Sequence, residues 1–242
     1  VAKDASDMTI LDNSFASISH AVMWGRSLYL NIQRFILFQM TINVAACLIV
    51  LIGAFLCTES PLTVTQMLWV NLIMDTFAAL ALASLPPSER VMHDKPRKRT
   101  DSIISASMSK RIFGLGGLFV LLLFALIQYF KHVDLKHIAD FSTSDFIASL
   151  TNFSSGSFSA YELSVFFSLF VLLQFWNMFN AKAFKSAKSA FSELSKCKNF
   201  LFISGLILLG QWLITSLGGK MFRVEALDTL SWVLIIVSTS VV

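Results

Sequence analysis

Charge is scarce in this sequence. Asp, Glu, Lys and Arg make up 14% of its 242 residues, well short of the roughly 25% usual in soluble domains. The shortage excludes an ordinary water-facing globule. With 55% hydrophobic residues and a mean hydropathy of +0.70, the bilayer is the natural solvent. Cysteine is scarce too. Cys47, Cys57 and Cys197 lie far apart and match no zinc or disulfide spacing, so unpaired thiols are expected rather than a stapled scaffold. There is neither a secretory leader nor an initiator Met. Val1 is followed at once by Lys3, Asp4 and Asp7, and the first residue reads as a cut within a longer protein.

What the sequence has is long apolar runs. Six are long enough to be membrane spans: 35–57, 62–85, 112–130, about 158–179, 200–217, and a last from about 227 that is still apolar at Val242, as though truncated. Upstream of the first span, Ala16, Ile18, Val22, Met23, Leu28 and Leu30, with Arg26 and Arg34 between them, predict a helix running without a break into the membrane, with Ser14 as its N-cap. The expected fold is therefore all-α. It is a polytopic bundle of six transmembrane helices, the first extended into the cytosol.

Basic residues set the expected orientation. Fifteen of the 19 Lys and Arg fall before the first span, in the 86–111 loop, or after the fourth span; only Lys131, Lys136, Lys220 and Arg223 fall on the other side. The richer side is expected to be cytoplasmic, which puts both chain ends in the cytosol. The 86–111 loop could touch anionic headgroups, although topology already explains its charge; no nucleic-acid partner is expected. The 131–160 loop carries His132, Asp134, His137 and Asp140, residues that short exposed loops often hold by chance, and an Asn152 sequon of little weight.

The second span carries the chemistry. Ser60-Pro61 is expected to open it and Pro86-Pro87 to end it, as a cap with a first-turn proline and a terminating proline do. Within it lie Asn71 and Asp75, four residues apart and on one face of an α-helix. Asp75 is the only acidic residue deep in the first five spans. A charge there costs about 2.5–3.5 kcal/mol on insertion scales and marks a functional candidate. Asn43, with Thr41 nearby, lies mid-way through the first span, and Gln174 and Asn177 share a face of the fourth. A carboxylate with amide oxygens suits a hard cation such as calcium better than zinc or copper. The amides could equally be interhelical glue. Proton, sodium and calcium remain open on chemistry alone.

Three stretches bear a resemblance. Val1 to Met8 followed by Leu11 to Phe15 resembles the end of the phosphorylation domain of P-type cation ATPases. Gly25-Arg26, Asn31 to Phe35 and Asn43-Val44 resemble that family's fifth transmembrane helix, and Gln66 to Thr76, continuing to Pro86-Pro87, its sixth. The match is best to calcium pumps of the plasma-membrane type. The resemblance implies the following organisation: 1–15 a remnant of the phosphorylation domain, 16–57 stalk and helix five, 58–85 helix six, 86–111 a cytoplasmic basic loop, and 112–242 helices seven to ten. It implies Asn71, Asp75 and Asn43 as calcium ligands, with Gln174, Asn177, Met74 and Ala46 lining the cavity. Where two-calcium pumps place glutamate, threonine and glutamate, this chain has Ala46, Met74 and Gln174, so one calcium per cycle is expected. ATP and Mg2+ would act in upstream domains, the N-terminal part of the same protein would be the partner, and the isolated chain would not hydrolyse ATP. The expected location is the plasma (cell inner) membrane. A P-type pump for manganese or protons, or a secondary transporter or channel, is the alternative.

Overall fold

A segment crossing lipid must satisfy its backbone hydrogen bonds internally, and among the described residues every regular element is a helix. The computed structural model describes residues 6, 9, 11–12, 14–55, 62–98, 100–151, 158–186, 189–192 and 194–241. The helices are α1 (Phe15–Phe55), α2 (Val64–Ala83), α3 (Ala106–His132), α4 (Thr143–Thr151), α5 (Ala160–Lys182), α6 (Lys198–Leu217), the single turn α7 (Gly219–Phe222) and α8 (Thr229–Thr239). Five of them, α1, α2, α3, α5 and α6, are long and apolar enough to cross a membrane. The chain is thus a multi-pass membrane protein. The sixth apolar run is helical over Thr229–Thr239; at 1.5 Å per residue that is about 16 Å, roughly half a bilayer core.

Helix starts follow side-chain chemistry. Ser105 accepts the Met108 N–H ahead of α3, and Ser159 and Glu162 form a reciprocal capping box at α5. At α2 the box is Thr63 with Gln66, so the helix opens just after the proline expected to open it; Ser60 and Pro61 lie outside the described residues, as do Cys57 and Asn152. Ser14 precedes α1, and its carbonyl accepts the Ser17 N–H.

Helix α5 is apolar all round, and such a helix belongs inside a bundle. Of its most apolar stretch 83% is buried, against 28–44% in the other four spans, and α1, α2, α3, α6 and α8 all pack against it. Helices α1 and α3 approach closely at Gly116, where a Cβ would sit 3.4 Å from the Thr41 carbonyl oxygen. The basic 86–111 loop lies along α1 and is held there by α1's own polar residues. Arg26 donates to the Val91 and Asp94 carbonyls at 3.0 and 2.9 Å. Asn31 reaches the Leu85 carbonyl at 3.2 Å and Gln33 that of Ile103 at 2.9 Å. Arg34 donates to Asn31 Oδ1 at 3.0 Å, and Arg97 lies 4.2 Å over the Tyr29 ring.

Candidate ion-binding site

Helix α2 is not uniform. Between α-helical turns, Trp69–Met74 forms a π-helical segment, and the Asp75 N–H closes it onto the carbonyl of Val70, five residues back. Such wide turns inside helices are rare and cluster at functional sites. They also break the 3.6-residue rhythm. Asp75 points into the bundle at 4% exposure, whereas Asn71 is exposed on the outside of the described bundle. The two residues four apart thus differ in burial, and the wide turn shifts the residues before Asp75 relative to those after it.

Asp75 Oδ2 accepts a 2.8 Å hydrogen bond from Gln39 Nε2 of α1. Its Oδ1 is buried without a partner. Four residues beyond Gln39, on the same face of α1, Asn43 is half-buried. Thr41 is spent within α1, its hydroxyl donating to the Leu37 carbonyl at 2.8 Å. Ala46 and Met74 are buried at 2% and 0% and offer no oxygen. On α5, Gln174 and Asn177 are buried; both amide atoms of Gln174 and the Nδ2 of Asn177 have no partner. Leaving a buried amide unmatched costs on the order of 1–3 kcal/mol, so these groups are not simple interhelical glue. Among the described residues, no three His, Cys, Asp or Glu side chains come together. The available donors are one carboxylate and several amides, a hard oxygen set.

Two polar residues of the spans escaped the sequence reading. Gln39 was legible in principle, as an amide one helical turn before Asn43 in the same apolar run. Gln128 of α3 is also buried, with an unpartnered Oε1, and only its isolation among apolar neighbours marks it.

Comparison with known proteins agrees with this geometry. Residues 59–242 match the family described as cation transporting ATPase, C-terminus. The chain is 37% identical over 232 residues to plasma membrane calcium-transporting ATPase 2 of Oreochromis mossambicus, an alignment covering 96% of this chain and 20% of that protein. It is 36% identical over 239 residues to plasma membrane calcium-transporting ATPase 4 of Homo sapiens, and 37% identical over 239 residues to the human protein numbered 3, each alignment covering 96% of this chain and 18% of the relative. The chain thus spans about a fifth of the length of the relatives it matches. A family match over most of the residues, on a bundle that buries the Asp75 carboxylate within an apolar span, places this chain in the C-terminal membrane portion of the cation-transporting ATPases.

Proposed function

We propose that this chain is the ion-translocating membrane part of an ATP-driven calcium pump that exports cytosolic calcium, one ion per cycle. The observation that carries the reading is the Asp75 carboxylate, buried in an apolar span with one oxygen on Gln39 and the other unpartnered. An uncompensated charge in that setting is costly and wants a cation. The printed names of the relatives, calcium-transporting ATPases, favour calcium over proton or sodium as cargo.

In this reading Asp75 supplies charge, and Asn43 and Asn71 supply amide oxygens. The exposure of Asn71 suits a site completed by helices outside this chain, just as the relatives' greater length suits a cytoplasmic machinery that uses ATP and Mg2+ elsewhere in the protein. The stalk half of α1 would carry the motion of that machinery to Gln39 and Asp75. The buried, apolar Ala46 and Met74 and the neutral Gln174 leave too few charged oxygens for a second ion, which supports a single calcium. The side bearing the basic loop is read as cytosolic, and the isolated chain as inactive in hydrolysis.

The test is ATP-driven uptake of radioactive calcium into inside-out vesicles carrying the complete protein, with and without Asp75→Asn. Uptake by the unmodified protein, lost in the variant at equal membrane abundance, is expected. Retained uptake in Asp75→Asn removes the ligand assignment, and uptake of manganese but not calcium moves the cargo.

A further inference from the structure

The wide turn ahead of Asp75 is held by a helix that contributes nothing to the ligand set. At its first residue, the Trp69 indole lies on Gly210 of α6: a Cβ added there would fall 2.7 Å from Cη2 of the ring and 3.1 Å from Cζ2. Only glycine allows that seat, because a rigid ring cannot yield as a flexible chain end can. The same indole donates from Nε1 to Gln211 Oε1 at 3.1 Å. Gln211, fully buried, is itself oriented, its Nε2 donating to the Thr215 hydroxyl at 3.2 Å. Thr215 in turn meets the Ser168 hydroxyl of α5 at 3.5 Å.

One helical turn earlier, Gln66 closes the capping box through its carbonyl and donates its Nε2 to the Phe222 carbonyl at 2.8 Å. The first turn of α2 is thereby fixed to α6 and α7, while Asp75 is fixed to α1 through Gln39. The π segment Trp69–Met74 lies between these two anchors. A π-helical turn is rare within an α-helix, and such a segment persists where its surroundings impose it.

We infer that Trp69, seated on Gly210 and bonded to Gln211, is a positioning residue that holds the wide turn and so sets where the Asp75 carboxylate stands for the transported cation. Helix α6 thereby tunes ion affinity without touching the ion. The inference rests on the calcium-site reading above. If the lock is released, the turn relaxes towards α-helical register and Asp75 rotates away from the position at which the other oxygens meet it.

The experiment measures calcium dependence of ATP-driven uptake in vesicles carrying the complete protein. It compares the unmodified form with Asp75→Asn, Gly210→Val, Trp69→Phe, Gln211→Leu and the Trp69→Phe/Gln211→Leu pair. Gly210→Val is expected to raise the half-saturating calcium concentration about 5- to 50-fold, in the range of ordinary coupling between sites, with the maximal rate per molecule within about twofold. Trp69→Phe loses the Nε1 donor together with the benzo-ring atoms that touch Gly210, so it is expected to shift half-saturation at least as far as Gln211→Leu, which loses the bond alone. Its pair with Gln211→Leu shifts no further than Trp69→Phe alone, since the phenylalanine has already lost the bond that Gln211→Leu removes. If Gly210→Val fails to reach the membrane, the Trp69→Phe and Gln211→Leu cycle decides. Unchanged half-saturation in these variants, or a fall in maximal rate alone, overturns the positioning role while leaving the calcium site in place. Retained uptake in Asp75→Asn, by contrast, overturns the site itself and the inference with it.

Discussion

Replacing Asp75 with Asn should make the protein sturdier while abolishing transport. The carboxylate is 4% exposed, has a single donor in Gln39, and leaves Oδ1 unmatched. A charge at mid-span costs about 2.5–3.5 kcal/mol. The isosteric amide keeps the Gln39 contact as a neutral hydrogen bond, about half as strong as a charge-assisted one, which gives back about 1 kcal/mol. The remainder, about 1.5–2.5 kcal/mol, corresponds to a rise of about 3–10 °C in unfolding midpoint for a chain of this size. The assay is thermal unfolding of the purified chain in detergent with a chelator present. In the complete protein the order reverses when calcium is added. The unmodified form gains about 2.7 kcal/mol at a hundredfold excess over its dissociation constant, and the variant gains nothing. Two results refute the reasoning. If the variant melts earlier in chelator, Asp75 is a structural partner rather than a charge waiting for a cation. If calcium protects both forms alike, the ion sits elsewhere.

Glu162 should behave in the opposite way, because both of its oxygens are matched: Oε1 takes the Leu135 N–H at 2.9 Å and Oε2 the Ser159 N–H at 2.8 Å. Glu162→Ala breaks the capping box and strands a buried N–H, a loss of about 3–5 kcal/mol in denaturant unfolding; Glu162→Gln, retaining one acceptor, loses about half, and equal losses would refute the assignment. At α8 the Ser231 hydroxyl donates to Asp228 and holds that carboxyl below the usual carboxylate range. A lowered folded value means that the stabilisation is fully present above the unfolded value of about 3.9 and fades as pH falls through the folded one. Unfolding midpoints followed from pH 5 downwards should therefore drop less steeply in Asp228→Asn than in the parent, and identical profiles would count against the link.

Much of this architecture could be read from the residues. Spans with no water to satisfy their backbone had to be helices, and the spaced apolar residues from Ala16 to Leu30, with Arg26 and Arg34 beside them, announced a helix continuing past the membrane. Asp75 stood out because a lone carboxylate in an apolar run has few innocent explanations. The exposure of Asn71 was not legible. No residue type announces a π turn, and a period of 3.6 residues puts Asn71 near Asp75 without saying which of the two is buried. The contacts that anchor the wide turn lie 140 positions downstream, in Gly210 and Gln211, and periodicity within one helix cannot report a contact made by another. Gln39 was overlooked for a related reason: an amide in a span declares its importance only through its partner.

Helix α1 has a geometric consequence of its own. Its 41 residues make a rod of about 60 Å, twice the thickness of a bilayer core. The bonds from Arg26, Asn31 and Gln33 to the Val91, Leu85 and Ile103 carbonyls grip it about a quarter to a half of the way along, where a fulcrum would stand. A rod gripped there swaps displacement between its ends. If one end swings by about 10°, the other, some 30 Å from the grip, moves about 5 Å, one helical pitch. Gln39 lies about 9 Å beyond Gln33 and Ile49 about 24 Å beyond it, so the same swing shifts the Asp75 contact by about 1.5 Å and the distal half of the span by about 4 Å or more. The leverage is written into where the straps are tied.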